Sequence, residues 1–165
     1  MSVVVRPARP DEVERAGELV HDTYVGDGLV AASSPYTRVL RDAASRAATA
    51  VLIVAVDEAG SMLGTVTYAP NGTPYAQVAR DGEAEFRMLA VATTARRRGI
   101  ARALVLDVVE RARADGATGL VLSSSADMTA AHRLYAELGF LRTPERDWEP
   151  PGDAISLRVF VLPLA

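Results

Sequence analysis

The stretch Leu89-Ala-Val-Ala-Thr-Thr-Ala-Arg-Arg-Arg-Gly-Ile-Ala-Arg-Ala-Leu-Val105 constrains this chain more than any other. An apolar strand segment runs into a short loop, three consecutive arginines, a glycine and the stripe of an amphipathic helix. That order builds an anion site. The first N–H groups of a helix have no intrahelical acceptor, and the macrodipole adds partial positive charge there. Gly99 lets the backbone approach a bound group closely. Arg96, Arg97, Arg98 and Arg102 bring full charges. A phosphate or pyrophosphate is the natural guest. A solvated basic patch at a helix start is the plainer reading of the same residues.

Composition narrows the classes. At 165 residues, with 49% hydrophobic and 24% charged, residues 1–165 read as one soluble globular domain with a real core. A net charge of -3 argues against a nucleic-acid partner held by bulk charge. The absence of cysteine removes disulfides, thiol nucleophiles and cysteine metal sites. With His21 and His132 alone and no H-E-x-x-H, no metal is expected. The N-terminus has no basic leader, and no apolar run approaches a membrane span. No membrane partner and a cytoplasmic location are the resulting expectations.

Periodicity places the elements. Ser2–Arg6 is β-branched and reads as a strand. Pro10-Asp-Glu opens a helix whose stripe is Val13, Ala16, Val20 and Tyr24, and Gly26-Asp-Gly28 breaks it. A second helix starts at Ser34-Pro35, with Tyr36, Val39, Leu40, Ala43 and Ala47 on one face. Val51–Val56 and Met62–Tyr68 flank the turn Asp57-Glu-Ala-Gly60 and read as a hairpin. Residues 70–82 form a loop. Ala84–Val91 is the central strand, its strict alternation putting Glu85, Arg87, Leu89 and Val91 on one face. The helix after Gly99 buries Ile100, Leu104, Val105, Val108 and Ala112. Leu120–Leu122 is a short strand ended by Ser123-Ser-Ser125. A helix over 127–138 packs through Ala131, Leu134 and Leu138, leaving Tyr135 off the stripe. Gly139 follows it as a helix stop. Thr143–Gly152 reads as a loop and Ile155–Leu162 as the last strand. Strands alternating with helices around a hairpin give an α/β or α+β sheet protein with helices on both faces.

Two motifs carry a family resemblance. Arg96-x-x-Gly99-x-Ala101 after Leu89-Ala-Val91 resembles the acetyl-CoA signature of the GNAT superfamily of N-acetyltransferases. Ala131-His-Arg-Leu-Tyr135-Ala-Glu-Leu-Gly139-Phe140 is similar to that family's second signature, and the spacing between the two also matches. The similarity is strong over 84–141 and rests on element order elsewhere. It implies a mixed, mostly antiparallel sheet of about seven strands, splayed between the fourth and fifth, with the pantetheine arm of acetyl-CoA in the gap.

The resemblance also implies roles. Leu89, Ala90 and Val91 would bind pantetheine through their backbones. Arg96, Arg97, Arg98, Gly99, Ile100, Ala101 and Arg102 would wrap the pyrophosphate. Glu85 matches a glutamate that acts as general base in some members; the plainer reading is a solvent-facing or Arg87-paired residue. Tyr135 matches a tyrosine that faces the CoA sulfur; a packed aromatic is the alternative. Met128 stands where the family often has asparagine, so its cofactor contact is in question, and Ser123, Ser124 or Ser125 are candidate substitutes. His132 reads as an exposed helix residue, and no Gly-x-Ser-x-Gly elbow is present.

The leading reading is an acetyl-CoA-dependent N-acetyltransferase working by direct attack of a primary amine. A non-catalytic acyl-CoA-binding or sensing domain is the alternative, and Glu85 together with Tyr135 favours the enzyme. The acceptor, a small-molecule or peptide amine, is expected against residues 21–48, 70–82 and 142–153. Asp81, Glu83 and Glu85 would suit a cationic amine. Trp148 fits an acceptor mouth, a homodimer contact or plain loop packing.

Overall fold

The computed structural model describes residues 2–151 and 155–164. One sheet of seven strands organises them: β1 (Val3–Pro7), β2 (Val51–Asp57), β3 (Met62–Ala69), β4 (Glu83–Val91), β5 (Gly119–Ser125), β6 (Leu141–Arg142) and β7 (Leu157–Pro163). Their order is β1-β2-β3-β4-β5-β7-β6. Every neighbouring pair is antiparallel except β4 and β5. This is the mixed sheet the motifs imply.

The apolar alternation of β2 and β3 feeds both faces. Helices α1 (Val13–Gly26), α2 (Tyr36–Arg41) and α3 (Ala43–Thr49) cover one, where Ala16, Leu19, Val20, Leu40 and Ala43 meet Leu52, Val54, Met88 and Ala90. Helices α4 (Ile100–Ala114) and α5 (Thr129–Glu137) cover the other, over Ile53, Val66, Phe86 and Leu122. Among the described residues no helix is long and apolar enough to cross a membrane.

Four local expectations need correction. The helix expected from Ser34 onward is two helices. Asp42 leaves the helical region at ψ 63 and accepts the Ser45 amide at 3.1 Å, so it caps α3 instead of continuing α2. Arg46, fully buried, then closes the end of α2 by donating to the Val39 and Leu40 carbonyls at 2.7 and 2.9 Å.

The second correction concerns β4. Thr65 pairs with Ala90 but Thr67 pairs with Arg87, so Met88 and Leu89 together oppose Val66. Met88 sits at φ 56. This bulge flips the alternation midway. Leu89 therefore joins Phe86 under α4, while Glu85 and Arg87 face the other side with Met88. Glu85 and Leu89 do not share a face.

Third, Ser123–Ser125 does not end β5. It continues the strand by pairing with Val159, Arg158 and Leu157 of β7. Fourth, a two-residue strand, β6, follows Phe140 at the sheet edge, and β7 begins at Leu157. Gly152, the end of the expected loop, lies outside the described residues, as does Asp153 at the end of the expected acceptor segment.

Candidate active site

The gap between β4 and β5 is the organising feature. Their ladder holds only from Glu83↔Gly119 to Glu85↔Val121, after which the strands part. From Leu122 to Ser125 the other edge of β5 stays paired with β7. The edges facing the gap are thus left with unpaired backbone donors and acceptors, an invitation to an extended amide-bearing chain.

A cavity of about 730 Å³ runs along this gap to the start of α4. Leu89, Ala90, Val91, Arg96, Arg97, Gly99, Ile100, Ala101, Arg102 and Met128 line it; Arg98 does not. Gly99 is the N-cap of α4 at φ 76, and no side chain caps that helix. The first backbone bond at this end runs from the Ala103 amide to the Gly99 carbonyl. The amides of Ile100, Ala101 and Arg102 consequently stay open for an anion. The arginine cluster is less free than its charges imply. Arg96 pairs with Asp27 at 2.7 Å and Arg102 with Glu137, leaving Arg97 as the lining arginine without an ion pair among the described residues.

A second cavity, of about 590 Å³, lies on the α1–α2 side. Tyr24, Leu29 and Met128 line both spaces and form their junction. Glu85 lines the second, 1% exposed. Its Oε1 accepts the amides of Val78 at 2.8 Å and Ala79 at 3.0 Å, fastening the 70–82 loop over the cavity. It is neither solvent-facing nor ion-paired with Arg87. Burial raises its pKa above the usual carboxylate range, against the pull of those two amides and of Arg87 and Arg146.

Of the neighbouring acids, Glu83 is already engaged. Glu83 accepts from Arg146 through both oxygens at 2.9 Å and from the Arg80 amide. Burial raises its pKa, but these donors outweigh it and hold the carboxyl below its ordinary value.

Tyr135 is the buried residue of α5, 2% exposed. Its ring sits 6.0 Å from Phe86 and 5.7 Å from both Phe140 and Phe160. The expected stripe residues Ala131, Leu134 and Leu138 pack half-buried on the core, and Ala131 and Leu134 also line the first cavity. The buried face of α5 is wider than that stripe, and its fully buried position is Tyr135, beside Leu134. The hydroxyl has no partner among the described residues, yet it is not one of the sealed orphan atoms, which are Arg46 Nε and Thr67 Oγ1. Burial, with the Tyr24 phenol adding to it, raises the Tyr135 pKa and keeps the hydroxyl protonated.

The serines are occupied. Ser123 Oγ accepts from Trp148 Nε1 at 3.0 Å, and Ser124 Oγ lies 3.0 Å from His132 Nε2 and 3.4 Å from Met128 Sδ. All three serines line the second cavity and none lines the first. His132 is half-buried against Phe160, not exposed, and burial and Arg158 lower its pKa. Trp148 belongs to the second cavity wall. Sequence reasoning missed Tyr24 as a site residue, because its place on the α1 stripe reads as core. Arg87 drew notice only as a partner for Glu85.

The geometry matches known proteins. The GNAT acetyltransferase family model matches residues 17–140, and the chain belongs to that family. A GCN5-related N-acetyltransferase from Kribbella flavida is 27% identical with a TM-score of 0.72, over 98% of each chain. A Salmonella typhimurium structure containing its cofactor acetyl-CoA has the same fold, at 18% identity and TM-score 0.72 over 100% of this chain and 95% of that one. N-acetylaspartate synthetase from Danio rerio is 40% identical over 73 residues, 44% of this chain. The match spans about a quarter (26%) of that relative's length. The family match and the sheet order define a GNAT acetyltransferase fold.

Proposed function

We propose that residues 1–165 act as one N-acetyltransferase domain that moves an acetyl group from acetyl-CoA to a primary amine by direct attack. One observation carries this reading: two cavities reach the β4–β5 gap from opposite sides and meet at Tyr24, Leu29 and Met128. A sensor needs only the first of them. In this reading the α4 N-terminus holds the pyrophosphate, the Leu89–Val91 backbone holds pantetheine, and the acceptor enters from the second cavity. A cytoplasmic location remains part of it.

The chemistry turns on proton transfer at both ends of the reaction. An alkylammonium with a pKa of about 10.4 is free base only roughly once in 2,500 molecules at pH 7. A proton must therefore leave as nitrogen bonds to the carbonyl carbon. Glu85 takes it, directly or through water, and its raised pKa brings it closer to that task. The acylated nitrogen sheds a second proton, the carbon–sulfur bond breaks, the departing thiolate takes a proton from the Tyr135 hydroxyl, and the shed proton restores that hydroxyl through water. Acetyl-CoA consumption with a panel of polyamines, amino acids, aminoglycosides and peptide N-termini tests the reading. Tight CoA binding with no turnover on any amine would leave the sensor as the better account.

A further inference from the structure

The second cavity has a charge pattern that the transfer reaction does not require. Among the described residues, its only charged wall residues are Glu85 and Arg87. Glu85 Oε1 is already satisfied by two amides. Arg87 is not. It donates from Nη2 to the Tyr36 hydroxyl at 3.2 Å and lies 5.7 Å from the Tyr75 ring centroid. Neither neighbour carries a compensating charge, and no carboxylate lies within ion-pair distance of Arg87 among the described residues. A guanidinium has five donors in a planar fork suited to a carboxylate, so most of its capacity faces the cavity unused.

A second observation reinforces it. Arg46 is buried behind this wall, fully enclosed, bound only to two carbonyl oxygens, with its Nε unpartnered. Burial pulls its pKa below the ordinary arginine value, against the opposing fields of Tyr75, Tyr36, the Asp42 carboxylate and Tyr24. The inner wall thus presents a guanidinium, Arg87, that no carboxylate of the described residues pairs. A polyamine would bring cations to it. A peptide N-terminus has no carboxylate beside its amine.

We propose that the acceptor is a small zwitterion, a free amino acid or close analogue. Its carboxylate meets Arg87, and its apolar or aromatic side chain lies along the Tyr36, Tyr75 and Trp148 wall. The proposal rests on the transferase reading for the fate of the amine, and on Arg87 alone for the carboxylate. Arg87 here sets specificity and orientation; it touches no reacting atom.

The test uses matched acceptors: L-phenylalanine and L-methionine, their methyl esters, and the corresponding decarboxylated amines. With the full chain, kcat/KM for each acid should exceed that for its ester and amine by about 10- to 100-fold, the value of one charge-assisted pair. The ester amine is the least basic, so proton removal favours the ester and makes the comparison stringent. Arg87→Gln should erase the preference chiefly by raising the acceptor KM, with CoA affinity and melting temperature unchanged. Arg87→Lys should restore part of it, since charge returns without the fork. Equal or better turnover of esters or amines by the wild type, or an acid preference that survives Arg87→Gln, would overturn the proposal. Saturation-transfer NMR on the CoA-bound protein separates the two readings. Acids that bind in an Arg87-dependent way without turnover would sink the transferase reading and keep the zwitterion. If none of the acids binds, the zwitterion falls.

Discussion

The Tyr24 hydroxyl donates to the Leu89 carbonyl at 3.2 Å and ties the last turns of α1 to the bulge of β4. The same ring lines both cavities, so one bond fixes the junction between them. Tyr24→Phe keeps the ring and removes the bond. A neutral hydrogen bond contributes about 0.5–1.5 kcal/mol net. Calorimetry with CoA should show affinity weakened by about twofold to tenfold, with only a small drop in melting temperature. If affinity and melting are both unchanged, the contact carries no energy and the bulge holds itself.

Gly99→Asp tests the anion site. A Cβ at Gly99 meets nothing within 4 Å, so the variant has room to fold, with a left-handed penalty of about 1–2 kcal/mol. The added carboxylate lies where open amides and the helix dipole should receive phosphate. CoA affinity should fall at least about tenfold. A folded variant with native affinity would remove the phosphate from this helix end.

The motifs made this region legible because backbone-binding sites leave short, local signatures: a glycine at positive φ, orphan amides, a strand just before. The sheet was legible through β-branched runs and the Asp57–Gly60 turn. What stayed hidden depends on contacts distant in sequence. The β4 bulge has no sequence mark, since Met88 adopts φ 56 only because β3 on one side and α1 on the other hold it there. Periodicity therefore puts Leu89 and Val91 on the face of Glu85, where they do not lie. Tyr135 read as off-stripe because the core it enters is made by Phe86, Phe140 and Phe160, each on a different segment. The serine run looked like a loop because its pairing strand, β7, is more than thirty residues away.

Gly17→Ala should destabilise the fold although alanine favours a helix. An added Cβ would lie 2.2 Å from the Arg41 carbonyl oxygen and 3.0 Å from its carbon, both backbone atoms. Helix propensity returns about 1 kcal/mol, whereas overpacking costs about 1–3 kcal/mol, and a contact this short belongs at the upper end. A net loss of about 1–2 kcal/mol is expected, a fall of roughly 2–8 °C in melting temperature. A melting point at or above wild type would mean that α1 and α2 separate freely.

Glu85→Gln separates stability from catalysis. The folded pKa of Glu85 is raised, so its favourable contribution is present below the unfolded value of about 4.3 and lost as pH rises through the folded one. Glutamine keeps an oxygen for the Val78 and Ala79 amides and stays neutral. The variant should match or exceed wild-type stability at neutral pH, with the advantage vanishing under acid. Turnover should instead drop at neutral pH and recover partly at high pH, where free amine is abundant. A constant ratio of variant to wild-type rate across pH would show that Glu85 serves the loop alone.

Tyr135→Phe asks whether a core ring also works as an acid. The ring packs on three phenylalanines, and its hydroxyl has no protein partner among the described residues, so phenylalanine should hold melting temperature and CoA affinity. The raised pKa makes the hydroxyl a donor at every physiological pH, never a base. A thiol with pKa near 8.5 leaves tolerably without help, so the effect should be moderate: a kcat lower by about tenfold to 10³-fold, with the acetyl-CoA KM little changed when chemistry is limiting. A faster-leaving acyl donor, such as an activated aryl thioester, should narrow the gap, because its sulfur needs no proton. Full kcat in the variant would make Tyr135 a packing residue and pass the proton to water.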